Sequence, residues 1–278
     1  MEKAYGRTLK ALRSRIQKAM IHPPVTTNAI PLLYSWARSG TTLLNKCLSA
    51  MGHLVLSETH VTINSGVHAP RWQATNWLDV HIPSGTSWKN CILKLNAEAK
   101  QRSRSLIIRD WTTNSFYAND LNHYRPSNKL QAHNVLGSSC RPIAFVRNAI
   151  DCALSFAKFH KWQSVRQLNV FAAAYLAYVK QLSALKLPIF HYEDLCRDPE
   201  HFFVEFCSAV GIQFFSQWQD FGRISKVLGD TYPVNEKGSR AVKTAVIKKL
   251  PRRKAVNVLQ RSIVSNQQLQ RANTLLKY

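Results

Sequence analysis

Ile30-Pro31-Leu32-Leu33-Tyr34-Ser35-Trp36-Ala37-Arg38-Ser39-Gly40-Thr41-Thr42 is the stretch whose reading decides the fold. Its first half is short and apolar, which is the mark of a buried strand. It runs directly into Arg38-Ser39-Gly40, a tight loop. From Thr41 to Met51, the residues Leu43, Leu44, Cys47, Leu48 and Met51 share one helical face, and Gly52 suits the C-terminal cap. The unit is therefore strand, glycine-bearing loop, helix. A loop at a helix N-terminus offers free backbone N–H groups and the positive end of the helix dipole, and both favour an anion. Gly40 lets the backbone approach closely, Thr41 and Thr42 add hydroxyls, and Arg38 adds a fork of charged donors. The lysine-bearing pattern G-x-x-x-x-G-K-[ST] is absent. Taken alone, Ser39 to Thr42 also fits an ordinary capped helix.

Outward from this unit, strand and helix patterns alternate. His53 to Ser57 is a second short strand pattern ending at Glu58-Thr59-His60. Residues 62 to 90 are rich in turn formers and tryptophan and show no clean period. Cys91 to Leu95 and Leu106 to Ile108 are further short apolar runs, the latter ending at Arg109-Asp110-Trp111. Ile143 to Val146 is a strand ending at Arg147, followed by a helix from about Asn148 to Phe159. A longer helix, from about Arg166 to Leu185, carries Phe171, Tyr175, Tyr178 and Leu182 on one stripe. Pro188 to Tyr192 is a last strand, and Pro199 to Val210 is a helix closed by Gly211. Such alternation predicts an α/β fold of three layers around a central, mostly parallel sheet, with ligands at the carboxyl ends of the strands. No repeat or linker divides the chain, so residues 1–278 are expected to form one domain.

Charge points to anionic partners. The chain holds 38 Lys+Arg against 15 Asp+Glu, a formal net charge of +23. From Lys237 to Tyr278 there are eleven basic residues and no acid. Nucleic acid, membrane surface, polyanionic acceptor and phosphate-rich cofactor all fit that balance. Residues 1–22 read as a basic amphipathic helix, suited to docking on the domain, to peripheral contact with an anionic membrane, or to a transit sequence. No stretch is long and apolar enough for a transmembrane segment. The six cysteines show no C-x-x-C pair or zinc-like spacing, so a reducing, cytoplasmic setting and no bound metal are expected. His53, His68, His81 and His123 have no ligand-like spacing and are assigned to loops or surface.

Three strand ends carry polar residues that make sense together: Arg38 to Thr42; Arg147 with Ser155, about two helical turns on; and Tyr192-Glu193-Asp194-Leu195. Arg147 and Ser155 suit a clamp on one phosphate, and taken alone equally suit a surface arginine and a serine tucked against a small-residue face; Tyr192 suits a ring lying against a base. With these residues in order, the chain resembles the PAPS-dependent sulfotransferases (PAPS is 3′-phosphoadenosine 5′-phosphosulfate). Ala37-Arg38-Ser39-Gly40-Thr41-Thr42 matches that family's [P/A]-[K/R]-[S/G]-G-[T/S]-[T/S]. Val146-Arg147-Asn148-Ala149-Ile150-Asp151 through Ser155 matches V-R-N-P-x-D-x-x-x-S, except that Ala149 replaces proline. Tyr192 through Pro199 matches Y-E-D-L-x-x-D-P. The resemblance covers residues 30 to 215 and implies a P-loop-type fold. It implies that residues 38 to 42 hold the 5′-phosphosulfate and that Arg147 and Ser155 hold the 3′-phosphate. Lys237-Gly238 echoes a late nucleotide-binding R-K-G-x-x-G segment.

The implied activity is sulfuryl transfer from PAPS to a hydroxyl or amine acceptor, giving 3′,5′-ADP, with Arg38 stabilising the leaving phosphate. The acceptor stays open among anionic carbohydrate, lipid and small alcohol, with nucleic acid not expected as the primary partner. In cytosolic members a Lys-Thr-His ends one strand and its histidine is the base; here that strand ends Arg109-Asp110-Trp111. Glu58 occupies the place of a glutamate used by polysaccharide-modifying members. The candidate bases are ranked Glu58, His60, Asp110. A P-loop kinase or NTPase and a basic polyanion-binding module are the alternative readings.

Overall fold

The computed structural model describes residues 29–117, 126–228, 246–247 and 255–278. Residues 1–22, Lys237 and Gly238 lie outside these. The elements, in chain order, are β1 (Ile30–Tyr34), α1 (Thr41–Ala50), β2 (Leu54–Thr59), α2 (Pro70–Trp77), α3 (Trp88–Gln101), β3 (Leu106–Asp110), α4 (Thr112–Phe116) and α5 (Ala132–Leu136). There follow β4 (Cys140–Val146), α6 (Ala149–Phe159), α7 (Val165–Ala184), β5 (Ile189–His191), α8 (Tyr192–Arg197), α9 (Pro199–Val210), α10 (Val258–Val264) and α11 (Gln267–Leu275).

Among the described residues the five strands are parallel and lie in the order β2-β3-β1-β4-β5. The sheet is covered on both faces, as parallel sheets require. Side chains alternate along each strand. Leu32, Leu56, Ile108 and Ala144 join the apolar faces of α3, α6 and α7 on one side. Leu33, Val55, Ile107, Ile143 and Phe145 join α1 and α9 on the other. β1 sits between β3 and β4, and the chain crosses to opposite sides of it, so the crevice of this sheet opens at the carboxyl end of β1.

Most of the expected elements are present within a residue or two. Two readings change. Cys91 to Leu95 belongs to a helix, because Trp88, Cys91, Ile92, Leu95 and Ala99 are buried at helical spacing. The final stretch forms α10 and α11, which the sequence reading did not find. Their polar surface hides a short inward stripe, Ile263, Leu269, Ala272 and Leu276, that packs into the core. Among the described residues no helix is long and apolar enough to cross a membrane.

Candidate active site at the carboxyl edge of the sheet

The loop after β1 is held from inside. Trp36 is 1% exposed and packs among Phe116, Phe171, Tyr175 and Tyr178, anchoring the base of the loop. Ser35 N–H donates to Thr112 Oγ1 at 3.2 Å and Ala37 N–H to Thr113 Oγ1 at 2.8 Å, so the segment after β3 holds the loop from the side. Ser39 Oγ donates to the Trp36 carbonyl at 2.6 Å, and Ser35 Oγ lies 2.6 Å from Ser39 Oγ and 3.0 Å from Thr41 Oγ1. The hydroxyls of Ser39 and Thr41 are therefore turned into the loop's own bracing. Thr42 is half-buried, and its N–H, like that of Thr41, lies in the first helical turn where no intrahelical acceptor exists.

Gly40 is required twice over. Its φ is +89°, and a Cβ there would run into the Tyr192 ring. Arg38 also has a positive φ, +73°, a conformation that costs an L-residue about 1–2 kcal/mol. The surrounding hydrogen bonds hold it there and direct its side chain across to α6.

That side chain reaches Ser155: Arg38 Nε donates to Ser155 Oγ at 3.0 Å, and its guanidinium lies over Phe159. Arg147, at the end of β4, donates through Nη1 to the Arg38 carbonyl at 3.4 Å and stacks on Tyr192 at 4.8 Å. Ser155 thus meets Arg38 directly, where the sequence paired it with Arg147. Arg147 is 6% exposed and its Nε has no hydrogen-bond partner among the described residues. Leaving a buried donor unmatched costs about 1–3 kcal/mol, more when it is charged, and an anion in the crevice would recover it. Tyr192 is buried between Gly40 and Arg147, so its ring shapes the loop.

Ala149 stands where the resembled pattern has proline, which leaves its N–H free to donate. Asn273 Oδ1 of α11 accepts it at 2.6 Å. Tyr278 Oη donates to Glu193 Oε2 at 2.5 Å, and Glu193 Oε1 accepts from Asn148 N–H at 3.4 Å. The C-terminal segment thereby ties together two of the three polar strand ends.

A second group gathers at the ends of β2 and β3. The register of these strands slips between Leu56 and Thr59, where β2 carries one extra residue. Within that bulge Glu58 has φ +55°. Its carboxylate lies 2.9 Å from Arg109 Nη1, and both side chains are largely buried. Arg109 therefore pairs with Glu58. Asp110 is 2% exposed and accepts from Thr112 Oγ1 at 3.1 Å. Burial pushes its carboxyl up to about 7, against the lowering pull of Thr112 and Arg109. His60 is 1% exposed. Thr62 N–H and hydroxyl point at Nδ1, at 3.3 and 2.8 Å, so Nε2 carries the hydrogen and donates to Ser115 at 3.1 Å. With both nitrogens engaged and burial holding the ring neutral, His60 is a brace at the strand end.

His68, assigned to a loop by its spacing, also lies here. Its ring stacks on Trp111 with centroids 3.9 Å apart and planes 11° apart, and Nδ1 lies 3.0 Å from the Glu58 carbonyl. No spacing rule finds it, because ten residues of loop separate it from Glu58. Among the described residues, no three His, Cys, Asp or Glu side chains cluster as metal ligands.

No family model matches the chain, and no curated protein is similar to it in sequence. Among solved structures the fold is similar to the sulfotransferase domain from the curacin biosynthetic pathway, with a TM-score of 0.50 at 15% identity over 90% of this chain and 98% of that one. The sulfotransferase domain of the Synechococcus PCC 7002 olefin synthase aligns over 92% of this chain and 98% of its own, at 17% identity and a TM-score of 0.47. Mouse sulfotransferase SULT7A1, solved complexed with PAP, aligns over 90% and 81%, at 13% identity and a TM-score of 0.40. The chain has an α/β fold of the sulfotransferase type.

Proposed function

We propose that this protein is a sulfotransferase that moves the sulfuryl group of PAPS to a hydroxyl or amine acceptor and releases 3′,5′-ADP. The observation that carries the reading is that two arginines from different strand ends meet at one glycine loop, Arg38 within it and Arg147 reaching its backbone. Arg147 donates to the Arg38 carbonyl at 3.4 Å, and the Arg38 side chain extends from the same loop to Ser155. Two adjacent cationic sites suit a ligand with two separated phosphoryl groups, which PAPS has at its 5′ and 3′ positions.

Sulfuryl transfer, like phosphoryl transfer, asks chiefly for in-line positioning and for stabilisation of charge on the leaving group. Arg38 and the first N–H groups of α1 stabilise the charge that grows on the departing 5′-phosphate. Arg147 holds the distant 3′-phosphate and so fixes the donor's orientation. The acceptor loses its proton to a base on the side of β2 and β3.

Binding of 3′,5′-ADP, read by calorimetry against 5′-AMP, tests the donor side. Wild-type protein is expected to prefer 3′,5′-ADP, and Arg147→Ala to lose about 10- to 100-fold of that affinity, the worth of charged hydrogen bonds. Binding of Mg²⁺-ATP with none of 3′,5′-ADP would overturn the reading in favour of a nucleotide-hydrolysing enzyme.

A further inference from the structure

We infer that His68 is the base that takes the acceptor's proton, an assignment that rests on the sulfotransferase reading. A carbonyl oxygen only accepts, so the 3.0 Å contact between Nδ1 and the Glu58 carbonyl places the ring hydrogen on Nδ1. Nε2 then carries the lone pair, and it has no hydrogen-bond partner among the described residues. The stack on Trp111 fixes the plane of the ring. His68 is half-buried, so the residue is not sealed from solvent. A carbonyl-held Nδ1–H with a free Nε2 is the arrangement that readies imidazole for proton abstraction.

Its position is tied to the donor loop. Trp111 directly precedes Thr112 and Thr113, whose hydroxyls accept from Ser35 and Ala37 in the loop after β1. A histidine stacked on Trp111 therefore stands beside the crevice at the end of β3. The other candidates at that edge are engaged: Glu58 with Arg109, His60 at both nitrogens, and Asp110 sealed under Thr112. The bulge in β2 serves His68 as well, because it turns the Glu58 carboxylate toward Arg109 while its carbonyl meets the imidazole.

In the step, the acceptor oxygen forms a bond to sulfur as the bond from sulfur to the 5′-phosphate oxygen breaks. The electron pair of the broken bond leaves on 3′,5′-ADP. The acceptor proton moves to Nε2, giving an imidazolium that returns it to solvent.

The test follows PAPS turnover as release of 3′,5′-ADP, with water and with a panel of alcohols and phenols as acceptors. His68→Gln should bind 3′,5′-ADP as wild type does, which also reports that it folds, while turnover falls about 10²- to 10³-fold. In His68→Ala, free imidazole should restore part of the turnover, an effect that a purely structural histidine would not show. Wild-type turnover in His68→Gln would overturn the base assignment and leave the donor reading standing. A His68→Ala variant that binds 3′,5′-ADP but gains nothing from imidazole would also count against it. Wild-type protein that neither binds 3′,5′-ADP nor turns over PAPS would remove both.

Discussion

Asp110 shows how one residue couples site architecture to pH. Its carboxyl is sealed beneath Thr112 beside the loop after β1, where burial lifts it to about 7, while in the unfolded chain an aspartate ionises near 4. Between those values the unfolded state releases its proton and the folded state retains it. The stability that the protonated group contributes is therefore present below about pH 4, is lost as pH rises, and is gone once pH passes about 7. Asp110→Asn keeps an acceptor for Thr112 and removes the titration. The stability of wild type relative to Asp110→Asn should fall with a slope approaching about 1.4 kcal/mol per pH unit across that window. Urea midpoints at pH 4 to 8 check this, and parallel curves would contradict it. At the same scale, the loop has no room for a side chain at position 40: a substitution of Gly40 would meet both an unfavourable φ and the Tyr192 ring.

At the scale of elements, the most informative contact joins α6 to α11. Proline at the first position of a helix needs no hydrogen-bond partner, because it has no N–H. This chain has Ala149 there and supplies Asn273 instead, at 2.6 Å. Asn148 already has ψ of 124°, which suits a residue preceding proline. Asn273→Leu should cost about 1–3 kcal/mol by orphaning the Ala149 N–H. Ala149→Pro should remove most of that penalty, so the two substitutions together should cost clearly less than their sum. A double-mutant cycle in urea measures the coupling, and strict additivity would mean that the hydrogen bond contributes nothing. The β2 bulge is the second device of this scale. One extra residue turns a strand end and redirects Glu58, in keeping with the re-aiming role of bulges near active sites.

At the scale of the molecule, the sheet's two covered faces leave few cysteine thiols accessible. Cys47, Cys91, Cys140, Cys152 and Cys207 are buried, and Cys196 is half-buried. Burial raises the thiols of Cys91 and Cys140 to about 11 and that of Cys152 to about 12, and raises Cys47 and Cys207 as well. Ionised thiolate is the reactive form, so these five are protected by both access and charge. Native protein should release one equivalent of thiol rapidly to a disulfide reagent, at Cys196, and all six once unfolded in guanidinium. Several fast thiols in the native state would show that the sheet's faces open readily.

The sequence alone determined the alternation of strands and helices, because the periods of buried residues are local and survive without knowledge of partners. It also determined the loop Arg38 to Thr42 and the strand-end position of Arg147, since a glycine before a helix and an arginine after an apolar run can be read within a few residues. The segment from Trp88 to Gln101 was ambiguous, because a five-residue apolar run fits a strand and a helix face equally well. The tail helices were hidden by a polar surface over a short inward stripe. Only the tertiary structure decided the pairings: Ser155 with Arg38, Glu58 with Arg109, Asn273 with Ala149, and His68 over Trp111. Each of these joins residues from different strands, helices or loops. Their meeting depends on strand order, on a bulge that shifts register by one residue, and on where a loop folds back, and none of these leaves a periodic trace in the chain.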